Sequence, residues 1–151
     1  MRIAHIGGLS MHIVRHLILW IVFVLLFSVG ALSLELSEGY KVTTTEYYGL
    51  RNIGFTFIAL MFLIATVFYP IILLPLSIII CRIVTASFVR VLLYFVMGGT
   101  GGIFIFQNLY NDRFIQEYDL NIITSILIFG VIGVLYALMD NFLQRRQALL
   151  R

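Results

Sequence analysis

The residues able to do chemistry are few in this chain, and their spacing limits what they can do. His5, His12 and His16 fall within about 40° of one another on a helical wheel. His12 and His16 have the i, i+4 spacing that zinc ligands often use, but no cysteine or carboxylate accompanies them. Gly7-Gly8 is expected to interrupt the helix between the first two. The three read as an interfacial histidine face, and no metal is expected. Cys81 is the single cysteine, so no intrachain disulfide forms, and it reads as a small apolar residue ending the second span. Gly98-Gly99-Thr100-Gly101-Gly102 has the glycine content of a phosphate-cradling loop, yet no Lys-Ser/Thr follows it and no strand precedes it. No nucleophile–base constellation is visible either. The expectation is a protein without catalytic residues, cofactor or enzymatic activity.

The elements that would hold these residues follow from composition. Hydrophobic residues make up 62% and charged residues 11% of the 151, and mean hydropathy is +1.07. A soluble domain carries about 25% charged residues. A bilayer core about 30 Å thick needs about 20 apolar residues in a helix. Uncharged runs occupy Leu17–Leu34, Ile53–Ile80, Val91–Phe106 with polar extensions to Tyr110, and Leu120–Met139. They predict an all-α integral membrane four-helix bundle, a single transmembrane domain over 1–151 with spans at about 15–35, 53–80, 88–110 and 120–142.

Charges between the runs alternate in sign. Lys and Arg are retained on the cytoplasmic side, so the alternation orients the chain. With both termini inside, cytoplasmic segments hold seven of the ten basic residues and one of the seven acidic ones. The outer loops then hold three basic and six acidic residues. That partition predicts an up-down-up-down bundle with both termini cytoplasmic. Trp20 falls near the inner boundary, and Tyr40, Tyr47, Tyr48, Tyr110 and Tyr118 near the outer one. The net charge of +3 is scattered over short segments bordered by bilayer. It does not form the contiguous basic face that nucleic acid requires, so it serves orientation and anionic headgroups.

Arg2 and Arg15 ahead of the first run give it some likeness to a signal peptide, with Val29-Gly30-Ala31 as a tolerable cleavage site. Its 18 apolar residues exceed the usual h-region of about 7–15, so an uncleaved signal-anchor span is expected. Met11 is an alternative start.

The second run is longer than a span needs, and Pro70 and Pro75 fall in its cytoplasmic third. Each proline removes a donor and clashes with the carbonyl four residues earlier, those of Thr66 and Ile71. A helix kinked at Pro70 and Pro75 is expected, with neighbours or Thr66 satisfying the freed groups. The sharper alternative is a broken helix lining a substrate site, although Tyr69 is the only polar side chain near the break.

Glycines weaken a helix unless close packing needs them. Gly98, Gly101 and Gly102 are expected on one face of the third span, and Gly130, Gly133 and Ala137 on one arc of the fourth. Arg90 precedes Gly98 by eight residues and Gly133 precedes Asp140 by seven, so a hairpin would put both patches at one depth. Two readings follow for the charges below them. Either Arg90 and Asp140 form an ion pair closing the seam, or Arg90 snorkels to headgroups while Asp140 ends its helix.

The run Phe104-Ile105-Phe106-Gln107-Asn108-Leu109-Tyr110-Asn111-Asp112-Arg113-Phe114, followed by Leu120 through Tyr136-Ala137-Leu138-Met139-Asp140-Asn141, resembles a family of uncharacterised small four-span integral membrane proteins of Gram-positive bacteria. The resemblance covers roughly the last third of the chain, and Met1–Ser10 departs from it. It implies a multi-pass bacterial plasma membrane protein of a family with no assigned activity, so it transfers no site residue.

The leading functional expectation is an accessory or interaction protein whose partners are the lipid bilayer and either further copies or another membrane protein. The alternatives are a small oligomeric channel or transporter subunit, or a membrane-perturbing protein of the holin type. No span carries an acidic residue near its middle, which weakens comparison with proton-coupled exporters.

Overall fold

The computed structural model describes residues 2–42 and 55–149. The helices in order are α1 (Arg2–Ser37), a 3₁₀ turn (Gly39–Lys41), α2 (Phe55–Phe68), a π-helical turn (Tyr69–Leu73), α3 (Leu74–Ile83), α4 (Ser87–Leu109), α5 (Asp112–Glu117) and α6 (Ile122–Leu149). No strand occurs among the described residues. Four stretches are long and apolar enough to cross a membrane: Ile13–Lys41, Phe57–Ile83, Ser87–Leu109 and Ile122–Arg146. Their outward faces carry Leu25, Phe62, Leu92 and Leu127, the inverse of a soluble bundle. Their length and apolar outward faces are compatible with a multi-pass membrane protein.

Two expectations about local structure change. Gly7-Gly8 lies inside α1 and does not interrupt it. Each glycine costs about 1 kcal/mol of helix propensity, which a helix already nucleated by the apolar span can absorb. The acidic segment after α4 is not all loop, because Asp112–Glu117 forms α5. Asp119 then takes a positive φ of 49°, a conformation Asp tolerates, and turns the chain into α6. Asn121 caps that helix, its Oδ1 accepting from the Ile123 amide at 2.9 Å.

At the prolines the chain stays helical but widens. Tyr69–Leu73 forms a π turn closed by the Leu74 amide donating to the Tyr69 carbonyl. The extra residue per turn absorbs the bulk of Pro70, and the carbonyl freed at Thr66 gains a donor from another helix. Trp20 Nε1 of α1 donates to Thr66 O at 3.1 Å. Trp20 therefore belongs to a helix–helix contact and not simply to an interfacial belt. Replacing Trp20 with Phe keeps an aromatic ring but strands that carbonyl. We expect a loss of about 1–2 kcal/mol, read as an earlier unfolding midpoint in detergent; an unchanged midpoint would show that the bond contributes nothing.

Glycines set the tightest helix pair, α4 on α6. A Cβ at Gly98 would overlap the Phe129 carbonyl oxygen, one at Gly133 the Tyr94 carbonyl oxygen, and one at Gly102 would stand 2.7 Å from Ser125 O. A Cβ at Gly130 would meet the Phe95 ring at 2.7 Å. Ser125 Oγ donates to Gly102 O at 2.8 Å, adding a hydrogen bond across the seam. Ala137 is buried. Gly101 departs from the expectation: a Cβ there would have nothing within 4 Å. The contact stripe runs Tyr94, Gly98, Gly102 at four-residue steps, and Gly101 sits about 100° off Gly102. Gly99 takes its place, packed against Ile126.

The centre of the bundle is aromatic. Phe23 packs on Phe27, Phe68, Tyr69 and Tyr136, with ring centroids 5.7–6.4 Å apart, and Tyr136 packs on Tyr94 at 5.3 Å. Tyr94 donates to Ser77 Oγ at 2.9 Å, and Tyr136 donates to the Tyr69 hydroxyl at 3.4 Å. Every buried phenol hydroxyl here thus has a partner, as an apolar interior requires.

Candidate functional site

Polar residues at four-residue spacing put one polar face on each helix at one end of the bundle. Ser77 and Cys81 share a face of α3, Arg90 and Tyr94 a face of α4, and Tyr136, Asp140 and Gln144 a face of α6. The connection Val84–Ala86 is only three residues long, so the end of α3 and the start of α4 are held together. Arg15 approaches from α1. Asp140 is 1% exposed and fully engaged: Arg15 Nε and Nη2 both donate to Oδ1, the former at 3.0 Å. Gln144 Nε2 donates to Oδ2 at 3.0 Å, and the Cys81 thiol reaches the same oxygen at 3.4 Å.

This corrects the pair expected between Arg90 and Asp140. Asp140 pairs with Arg15, and Arg90 Nη1 donates to Gln144 Oε1 at 2.6 Å and approaches Cys81 Sγ at 3.8 Å. Spacing along α4 and α6 relates those two helices only, whereas the buried carboxylate faces the first span as well. Arg90 joins the same cluster one helical turn beyond Asp140, so it does not simply snorkel outward. Cys81 is a shared member of this polar cluster, within reach of both guanidiniums and of the Gln144 amide at 3.1 Å.

A buried ion pair recovers its desolvation cost only when the remaining lone pairs are satisfied, as those of Asp140 are. The cluster nonetheless holds two guanidiniums and one carboxylate. Arg90 is 8% exposed, makes no ion pair among the described residues, and has a buried Nε without an acceptor.

A second cluster lies at the other end. Glu38 accepts from Lys41 Nζ at 2.8 Å, the Asn121 amide at 2.9 Å and Thr124 Oγ1 at 2.6 Å. Glu35, 2% exposed, accepts from the Tyr110 hydroxyl at 3.0 Å. These bonds tie α1 to α6 and to the end of α4. Tyr110 is thus a buried partner of Glu35, while Tyr40 is exposed.

A groove of about 430 Å³ opens beside the π turn, lined by Ile13, His16, Leu17, Trp20, Tyr69, Pro70 and Leu74. Of the three histidines considered as ligands, the side chains of His5 and His12 lie outside the described residues. His16 borders the groove, and its carbonyl accepts from Tyr69. Glu46, Tyr47, Tyr48, Arg51 and Arg151 also lie outside the described residues. Arg15, Glu35, Glu38, Tyr94, Tyr136 and Gln144 were not legible as site residues one at a time. The signal was their four- or three-residue spacing within apolar helices. No protein-family model, curated protein or solved structure matches the chain.

Proposed function

We propose that the chain is a multi-pass protein of the bacterial plasma membrane, threaded up-down-up-down with both termini in the cytoplasm. It works without catalysis, as an accessory protein acting through partner helices, either further copies or another membrane protein. The observation that carries this reading is the filled interior. Phe23, Phe27, Tyr69, Tyr94, Phe129 and Tyr136 occupy the middle of the bundle, where a transport pathway would run. The outward face of α2, with Ile58, Leu60, Phe62, Leu63 and Val67, offers an apolar surface for lipid or another helix. The excess of Lys and Arg in three alternate segments supports the threading. The resemblance of the C-terminal third supports the bacterial plasma membrane.

Photo-crosslinking from position 62 in native membranes should trap one stoichiometric membrane partner or a second copy. Recovery of uncrosslinked monomer alone would overturn the accessory role. A phosphatase fused after Arg151 should stay inactive, and activity outside the cytoplasm would overturn the threading.

The second reading, a small oligomeric channel or transporter subunit, draws on one observation of its own. The groove at Tyr69 and Pro70 adjoins a π turn, a feature that recurs at functional sites. Solute flux into proteoliposomes containing this protein alone would favour it.

A further inference from the structure

We propose that the Arg15–Asp140 end of the bundle holds a phosphate group, with Arg90 as its principal donor. Asp140 carries one negative charge, paired with Arg15, and its oxygens already accept from Arg15, Gln144 and Cys81, so it offers Arg90 no hydrogen bond. Arg90 is nevertheless more than nine-tenths buried, with its Nε lacking an acceptor. A guanidinium held this way is unfavourable until an anion reaches it. The bond from Nη1 to Gln144 fixes the plane of the group. In a guanidinium, Nε and Nη2 form an edge able to take two oxygens of one anion in parallel hydrogen bonds; Nε is covered here, so a bound anion displaces what lies over it.

Depth selects phosphate over other oxyanions. Arg90 lies in the first turn of α4, and the apolar span begins at Ser87, so the guanidinium sits where hydrocarbon gives way to headgroups. No side chain caps α4 at Ala86, so the free amides of its first turn add partial positive charge at the same boundary. Arg145 and Arg146 are exposed at this end and raise the local potential. The phosphate is that of an anionic phospholipid or of a soluble phosphate. The proposal rests on the membrane reading and is independent of the accessory role.

The test uses the purified full chain in detergent. Native mass spectrometry would follow titration with phosphatidylglycerol or phosphatidylcholine, and thermal melting would be recorded in inorganic phosphate against chloride at equal ionic strength. A lipid source predicts one phosphatidylglycerol site about tenfold tighter than for phosphatidylcholine. Arg90→Gln should abolish that preference, Arg90→Lys should lose most of it because the charge remains without the fork, and Arg82→Gln should keep it. Stabilisation by inorganic phosphate that Arg90→Gln removes, without lipid preference, would assign a soluble source. Equal binding of both lipids with no effect of phosphate overturns the proposal. So does an Arg90→Gln protein that keeps the preference, or an Arg82→Gln protein that loses it equally. If Arg90→Gln does not fold, the wild-type titrations still decide: a saturable preference for one equivalent supports the site, and its absence in both titrations refutes it.

Discussion

Gly133→Ala should lower the thermal midpoint of the detergent-solubilised protein by about 5–10 °C, while Gly101→Ala leaves it unchanged or slightly higher. On propensity alone both changes would stabilise a helix, by about 1 kcal/mol each. The surroundings reverse the sign at one of them. A methyl at Gly133 overlaps the backbone carbonyl of Tyr94, which cannot swing aside as a flexible side chain would, so α4 and α6 must separate. Separation there also stretches the Ser125–Gly102 hydrogen bond further along the seam. At Gly101 the methyl enters open space. Gly98→Ala should resemble Gly133→Ala, since it meets the Phe129 carbonyl. Melting of Gly133→Ala together with wild type would show that the seam relaxes without cost, and the close approach of the two backbones would lose its energetic meaning.

The four apolar helices could be read from the chain because lipid imposes a one-dimensional constraint. A charge cannot enter the hydrocarbon cheaply, so apolar length alone marks a span. The glycine seam was legible to the extent that small residues at four-residue spacing must face something close. Gly101 shows where that argument stops. It belongs to the same Gly-rich run, and only the actual phase of the contact stripe separates it from Gly102. The clusters at the bundle ends were less accessible for a different reason. Charge counting by segment treats Arg15, Glu35 and Asp140 as markers of a boundary. A boundary residue can equally turn inward and pair with another helix, and that choice depends on which helices are neighbours. The hairpin is the contact that the sequence suggests, so Arg90 is the partner it offers Asp140 in one of its two readings, and neither reading includes Arg15. The first span, which supplies Arg15, Glu35 and Glu38, is the element whose neighbours were hardest to foresee. The π turn was likewise hidden. Two prolines announce a disturbed helix, but not that it widens into a π turn or that Trp20 of α1 takes the Thr66 carbonyl.

Asp140→Ala should cost about 3–5 kcal/mol, because it leaves Arg15 buried without a counter-charge. Arg15 and Asp140 side chains are 10% and 1% exposed, so water cannot readily replace the lost partner. Gln144 and Cys81 lose an acceptor in the same stroke, which adds unsatisfied donors to the unpaired charge. Converting both members to apolar residues, Arg15→Met with Asp140→Leu, removes the charge imbalance that the single change creates. The double variant should therefore recover at least half of the loss, as buried pairs replaced by packed hydrophobes commonly do. Unfolding in mixed detergent and dodecyl sulfate micelles would measure Arg15→Met, Asp140→Leu and the double variant, and that cycle gives the coupling directly. Arg90→Gln supplies the internal contrast. Among the described residues it removes no carboxylate's ion-pair partner, so its coupling to Asp140 should be smaller than that of Arg15. Equal coupling of Asp140 to both arginines would mean that the carboxylate is shared, and that Arg90 is already neutralised within the bundle. Coupling to Arg15 alone would leave Arg90, among the described residues, as a buried guanidinium whose counter-charge must come from outside the bundle.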